Sequence, residues 1–284
     1  MFVAGFLLLP LLGGCAPNVL TRTDAANRFA GPAFMSKRTI AAPPFHLTAY
    51  ERIDDTGAPA MVYIEGDGLA WMNKREPSLD PTPRTPLALG LAARDKSPNV
   101  IYLARPCQYT KLTEPGPCGR RYWTSARFAP ETVESLSVAL DRLKALHGIP
   151  AFHLVGYSGG GAMAALLAEQ RDDIASLRTV AGNLDHESHS RLHGISPLRD
   201  SLNPVTDAAR LASLPQHHFI GGADQNVTPV IFENFRTAVG PSSCVRASLI
   251  PGVTHEDGWI ERWPALLKEP LDCAVPPGPA GMGS

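Results

Sequence analysis

Short apolar runs alternate with stretches of helix length along most of this chain. Runs at 45–50, 61–64, 100–104, 152–157, 177–181, 217–220 and 245–250 predict strands. Segments 86–95, 130–147, 159–170, 205–212, 230–239 and 258–267 predict helices between them. The clearest helix begins at Pro130, with Glu131 and Glu134 near its positive dipole end and Gly148 at its stop. Val133, Leu136, Leu140 and Leu143 lie on one face of it. This alternation predicts an α/β fold, a mostly parallel central sheet with helices on both faces. Two long connections, 105–128 and 182–204, interrupt it. In such sheets, loops at the carboxyl ends of strands are where substrates bind.

The ends break the pattern. Phe2 to Leu12 is an apolar run of signal-peptide length, too short to span a bilayer core of roughly 30 Å as a helix. It leads into Leu12-Gly13-Gly14-Cys15, which resembles the lipobox of bacterial lipoproteins, although Met1-Phe2-Val3 lacks the usual basic residues. The resemblance implies a signal peptide over 1–14 and acylation of Cys15. Residues 15–40 would then form a tether, 41–270 the folded domain and 271–284 a flexible tail rich in proline and glycine. A lipid-anchored protein of the bacterial envelope is expected, facing the periplasm. Ala16 after the cysteine favours the outer membrane, because it is not the aspartate that retains some lipoproteins at the inner one.

Composition narrows the function classes. Of 284 residues 44% are apolar, enough for a sizeable core, and the formal net charge of -1 supplies no general attraction to nucleic acid. Any membrane association is therefore expected from the anchor. Beyond Cys15 stand Cys107, Cys118, Cys244 and Cys273, an even number that suits an oxidising compartment. Four cysteines allow three pairings. Proximity in the chain favours Cys107 with Cys118 and Cys244 with Cys273. None has CxxC spacing, so neither a zinc site nor a redox motif is expected.

The candidate chemistry centres on Gly156-Tyr157-Ser158-Gly159-Gly160, between the apolar run 152–155 and a run of small residues that reads as a helix. A serine in a sharp strand-to-helix turn needs glycines two before and two after it, because side chains there would meet the neighbouring strand or helix. The turn would lift Ser158 out of the sheet and place the Gly159 amide at a helix N-terminus, where an oxyanion is stabilised.

With this motif the chain resembles the α/β-hydrolases over about residues 45–268. The resemblance implies an acid and then a histidine after later strands. Asp224, in Gly221-Gly222-Ala223-Asp224 after an apolar run, is similar to the family's acid, and His255, in Pro251-Gly252-Val253-Thr254-His255, to its histidine. Asp224 would orient His255, and His255 would take the Ser158 proton. The second oxyanion donor is expected in Glu65-Gly66-Asp67-Gly68, as the amide of Asp67 with Gly66 and Gly68 as alternatives. Acidic side chains there would oppose an anionic transition state unless they point away or pair with a base such as Arg105. Gly66, Tyr157 and Tyr109 are candidate substrate contacts, and Tyr109, Tyr122, Trp123 and Arg127 could form an acyl-binding wall.

Rival readings stand beside these. Asp185 follows the preceding strand and could serve as the acid instead of Asp224. His186, His189 and His193 lie near Asp185 and Glu187, but His186 and His189 are three apart rather than the four of the metalloprotease helix, so no metal is expected. No cofactor is expected either. The implied activity is acyl transfer to water through an acyl-enzyme, with a carboxyl ester as the first choice and amide or thioester as alternatives. A protein that keeps the fold as an envelope scaffold is the non-enzymatic alternative; a missing triad member would mark it, and all three positions are occupied.

Overall fold

A computed structural model describes residues 19–73, 75–110 and 117–273. The expected signal peptide and Cys15 lie outside the described residues. Among those described, no helix is long and apolar enough to cross a membrane.

Ten strands and seven α-helices are described. The strands are β1 Ser36–Ala42, β2 Phe45–Ile53, β3 Ala60–Ile64, β4 Trp71–Asn73, β5 Glu76–Pro77, β6 Asn99–Leu103, β7 Phe152–Tyr157, β8 Ile174–Val180, β9 Gln216–Gly221 and β10 Val245–Ile250. The helices are α1 Val19–Ala30, α2 Leu87–Ala92, α3 Pro130–His147, α4 Gly159–Gln170, α5 His186–His193, α6 Pro229–Val239 and α7 Trp259–Leu266. Eight strands form one sheet in the order β1-β2-β6-β3-β7-β8-β9-β10, while β4 and β5 make a separate small ribbon. Pairing is antiparallel from β1 to β2 and from β2 to β6, and parallel from β6 onward. The predicted mostly parallel sheet is present.

Both faces of the sheet are covered, and residue alternation shows how. Along β3, Val62 and Ile64 pack into one core with α3, α4 and α6, whereas Met61 and Tyr63 pack into the other with α1, α2 and α7. Strands buried on both faces read as continuous apolar runs, which is why the central ones were recognisable. Val133, Leu136, Leu140 and Leu143 of α3 are all buried.

Several expectations give way. The expected tether over 15–40 includes α1 and most of β1, both integral to the fold. Ala26 and Ala30 of α1 are buried, Arg22 donates to the carbonyls of Asp80 and Thr82, and Asn27 accepts from the Tyr50 hydroxyl. The predicted helix over 205–212 is two 3-10 turns, Pro204–Thr206 and Ala208–Leu211, with Asp207 at φ -116° between them. Asp272 and Cys273 of the expected tail are tied to the fold, Asp272 by pairing with Arg246 and Cys273 by its bond to Cys244; residues 274–284 lie outside the described residues. Cys107 is bonded to Cys118, so both favoured pairings are present. The second bond ties the segment after α7 back to the start of β10.

Candidate active site

The turn from β7 into α4 holds Ser158 at φ 51°, ψ -119°, outside the regions that side chains ordinarily adopt. The surroundings enforce this conformation. A Cβ at Gly156 would lie 2.2 Å from the Gly160 carbonyl oxygen, and one at Gly160 would lie 2.2 Å from that of Ile64. Backbone bonds pin the turn as well: the Ser158 amide donates to Val180, and the Ser158 carbonyl accepts from Gly161 and Asn183. The serine thus stands at the carboxyl end of the sheet, where ligands gather in folds of this kind.

Two later loops converge on it. The Asp224 loop follows β9 and the His255 loop follows β10, and they are joined by bonds from the Gly222 amide to Ile250 and from the Ala223 amide to Val253. His255 Nε2 lies 2.9 Å from Ser158 Oγ, and His255 Nδ1 lies 2.8 Å from Asp224 Oδ2. Asp224 Oδ1 accepts from the amides of Asn226 and Val227. Burial alone would raise the Asp224 pKa, but the hydrogen bond and charge of His255, with these two amides, hold it below the ordinary carboxylate value. An ionised Asp224 can only accept, so Nδ1 carries the imidazole proton and Nε2 is left to accept from the serine hydroxyl. The His255 carbonyl is itself held, by the Tyr157 hydroxyl and the Trp259 indole.

Asp185, the rival acid, is used elsewhere. It caps α5, accepting from the Ser188 amide and from the side chains of Asn203 and Asn234. The histidines of α5 are also engaged: His186 with the Leu202 carbonyl, His189 with Asn226 Oδ1 and His193 with the Asn226 carbonyl. Among the described residues no group of three or more His, Cys, Asp or Glu side chains is arranged to hold a metal.

The loop after β3 passes beside the turn. The Asp67 carboxylate is close enough to Gly159 that a Cβ there would meet Asp67 Oδ1 at 2.2 Å. Two arginines meet that carboxylate, Arg105 Nη1 at 3.3 Å and Arg127 Nη1 at 2.5 Å, and Arg105 Nη2 also donates to the Arg127 carbonyl. Burial would raise the Asp67 pKa, but the charges of Arg127 and Arg105 override it and lower the value. Glu65 is fully enclosed. Burial pushes its pKa up to about 7, although bonds from the amides of Gly66 and Ala88 oppose the rise.

The expected aromatic wall does not form. Tyr109 is buried in the core beneath α1, α2 and α7, whereas Trp123 belongs to the opposite core and Tyr122 packs edge-on against Phe45. Gly66 and Tyr157 do meet, since a Cβ at Gly66 would lie 3.0 Å from the Tyr157 ring, but Tyr157 braces the His255 loop. Arg127, expected in that wall, meets Asp67 instead, and no local pattern marks Gln108, whose amide nitrogen donates to the Gly66 carbonyl.

No known family profile matches the chain, and no curated protein matches it. Solved structures do. Est1E from Butyrivibrio proteoclasticus aligns at TM-score 0.59 and 14% identity, covering 82% of this chain and 96% of that one. The esterase Pf2001 of Pyrococcus furiosus aligns at TM-score 0.58 and 12% identity, covering 82% and 90%. A puromycin-hydrolysing peptidase of Mycobacterium tuberculosis aligns at TM-score 0.59 and 16% identity, covering 83% of this chain but 38% of that one. At these identities the likeness is one of architecture, and with the strand order above it shows that this chain has the α/β-hydrolase fold.

Proposed function

We propose that the protein is a serine hydrolase acting on carboxyl esters through Ser158, His255 and Asp224. The observation that carries the reading is the unbroken relay from Ser158 Oγ to His255 Nε2 at 2.9 Å and from His255 Nδ1 to Asp224 Oδ2 at 2.8 Å. In this mechanism Ser158 Oγ attacks the carbonyl carbon as its proton passes to His255 Nε2, and the carbonyl electron pair moves to the oxygen. Amides of Gly159 and Asp67 meet that oxyanion. Collapse expels the alcohol, which takes the proton from His255. Water then repeats the sequence on the acyl-enzyme and releases the acid.

The preference for esters draws on the fold neighbours, among them an esterase and Est1E, which has also been solved with ferulic acid bound. A peptidase among the same neighbours supports amide hydrolysis as the second reading. Chromogenic acyl esters of increasing chain length, run beside peptide anilides, test the choice. The ester reading expects turnover of the esters that disappears in Ser158→Ala. Turnover of the anilides alone would overturn it in favour of the peptidase.

We further propose that the fold from α1 to Cys273 is one catalytic domain carried by a lipid anchor on Cys15 in the bacterial envelope. The apolar run ending at Cys15 supports this, as do two disulfide bonds of the kind that persist in oxidising compartments. Intact mass of the membrane-extracted protein should show an acylated N-terminal Cys15. Recovery of Cys15→Ala as a soluble protein is expected, and an unmodified mature N-terminus would contradict the proposal.

A further inference from the structure

The connection between β6 and α3 is long, and its start reaches into the loop after β3. Gln108 lies there, 1% exposed, with both ends of its side-chain amide engaged. Its Oε1 accepts from the Arg105 amide at 3.0 Å and its Nε2 donates to the Gly66 carbonyl at 2.9 Å. On the other side of the same residue, the Gly66 amide donates to Glu65 Oε1 at 2.9 Å. Both backbone groups of Gly66 are therefore held by side chains.

The consequence follows from peptide geometry. The Gly66 carbonyl and the Asp67 N–H belong to one planar trans unit and point in opposite directions. A group that grips the carbonyl therefore fixes where the N–H is aimed. Without a partner at the carbonyl, the Gly66–Asp67 peptide could rotate as a unit, because glycine on its leading side imposes little steric restriction. The packing is close: a Cβ at Gly68 would lie 2.8 Å from Gln108 Nε2. The Asp67 side chain is anchored independently by Arg105 and Arg127 and lies against Gly159, beside the nucleophile turn.

We infer that Gln108 is a positioning residue for acyl transfer, holding the Gly66–Asp67 peptide plane so that the Asp67 amide faces the oxyanion. This inference rests on the hydrolase reading above. It also gives the start of this connection a role in turnover distinct from binding substrate.

The test is steady-state kinetics on a short-chain nitrophenyl ester with Gln108→Met and Gln108→Glu. Gln108→Met fills the same space but cannot donate. Its kcat should fall by about tenfold to a hundredfold, less than the roughly 10²–10³-fold cost of losing an oxyanion donor outright because the amide is misaimed and not removed, while KM changes less than about twofold. Gln108→Glu can donate only when protonated, so its activity relative to wild type should rise as pH falls from 8 to 6, a trend that a merely structural role would not produce. Should Gln108→Met fail to fold, the kcat of Gln108→Glu at pH 8 decides alone. A kcat within twofold of wild type in folded Gln108→Met, or in folded Gln108→Glu at pH 8 where the carboxylate can only accept, would overturn the inference and leave the hydrolase reading intact. A wild type inert towards esters and anilides alike would overturn both.

Discussion

Ser158, Asp224 and His255 occupy three different loops, and each is held by contacts that make distinct demands on substitution. Asp224 uses one oxygen for His255 and the other for the amides of Asn226 and Val227. Asp224→Asn should therefore preserve the loop yet favour the wrong imidazole tautomer, lowering kcat by about 10³–10⁴-fold with thermal stability little changed. Retention of more than a tenth of wild-type kcat would argue against Asp224 as the orienting acid. Gly160→Ala makes a different demand. Its new Cβ would meet the Ile64 carbonyl at 2.2 Å, so a loss of about 2–3 kcal/mol is expected in denaturant unfolding. At this scale the sequence was informative about residues whose chemistry is tied to a motif, and silent about those whose role depends on a distant partner. Gly156, Ser158 and Gly160 are legible as one five-residue motif, although the contact that demands Gly160 comes from Ile64. Arg127 meets Asp67 from 60 residues away, and Gln108 meets Gly66 from 42, so no local pattern exposes either.

The connection between β6 and α3 begins with Arg105 and Gln108 and ends with Arg127, all three of which hold the loop after β3. Its Cys107–Cys118 bond begins between Arg105 and Gln108 and closes a short loop that contains Gln108. Replacing both cysteines with serine should cost about 3 kcal/mol on the chain-entropy view. It should also lower kcat more than KM, because the groups that hold Asp67 and Gly66 lose part of their support. Unchanged kcat in the folded double variant would show that the anchors suffice without the bond. The elements missed by sequence patterns share a physical cause. β1 is a polar edge strand that pairs through its backbone and buries few side chains, Ile40 and Ala42 among them. α1 packs through alanines, which leave little apolar periodicity, and α5 is nearly all polar, so its signals are the Asp185 cap and the left-handed Gly194 at its end. Strands β3, β6 and β7 were legible because burial on both faces leaves almost no polar residue in them.

For the whole molecule, buried titrating groups set how stability follows pH. Burial drives His218 down to about 3 and also lowers His153, His186, His189 and His217, so these rings stay neutral in the fold but take up protons when unfolded. Their contribution falls as pH drops below the ordinary histidine value of 6.5. Glu65 and Glu169 act oppositely. Burial raises them to about 7 and about 8, with Asp207 adding to the second, so the folded state holds protons that the unfolded chain has released. Stability from these two is lost as pH rises from 4.5 through those values. The melting temperature should therefore peak at about pH 6–7, and Glu65→Gln should flatten the alkaline side. A melting temperature still climbing at pH 8 would contradict that assignment. The fold itself joins a sheet that ends in three loops to a nucleophile turn with no room for a side chain at Gly156 or Gly160. This supports a single claim, that Ser158 is a nucleophile activated by His255. Its most direct test is mass-spectrometric mapping of the site modified by a fluorophosphonate probe on the folded protein. One adduct is expected, on Ser158, absent from Ser158→Ala and strongly reduced in His255→Ala; no adduct, or one that persists in Ser158→Ala, would rule out a Ser158 nucleophile activated by His255.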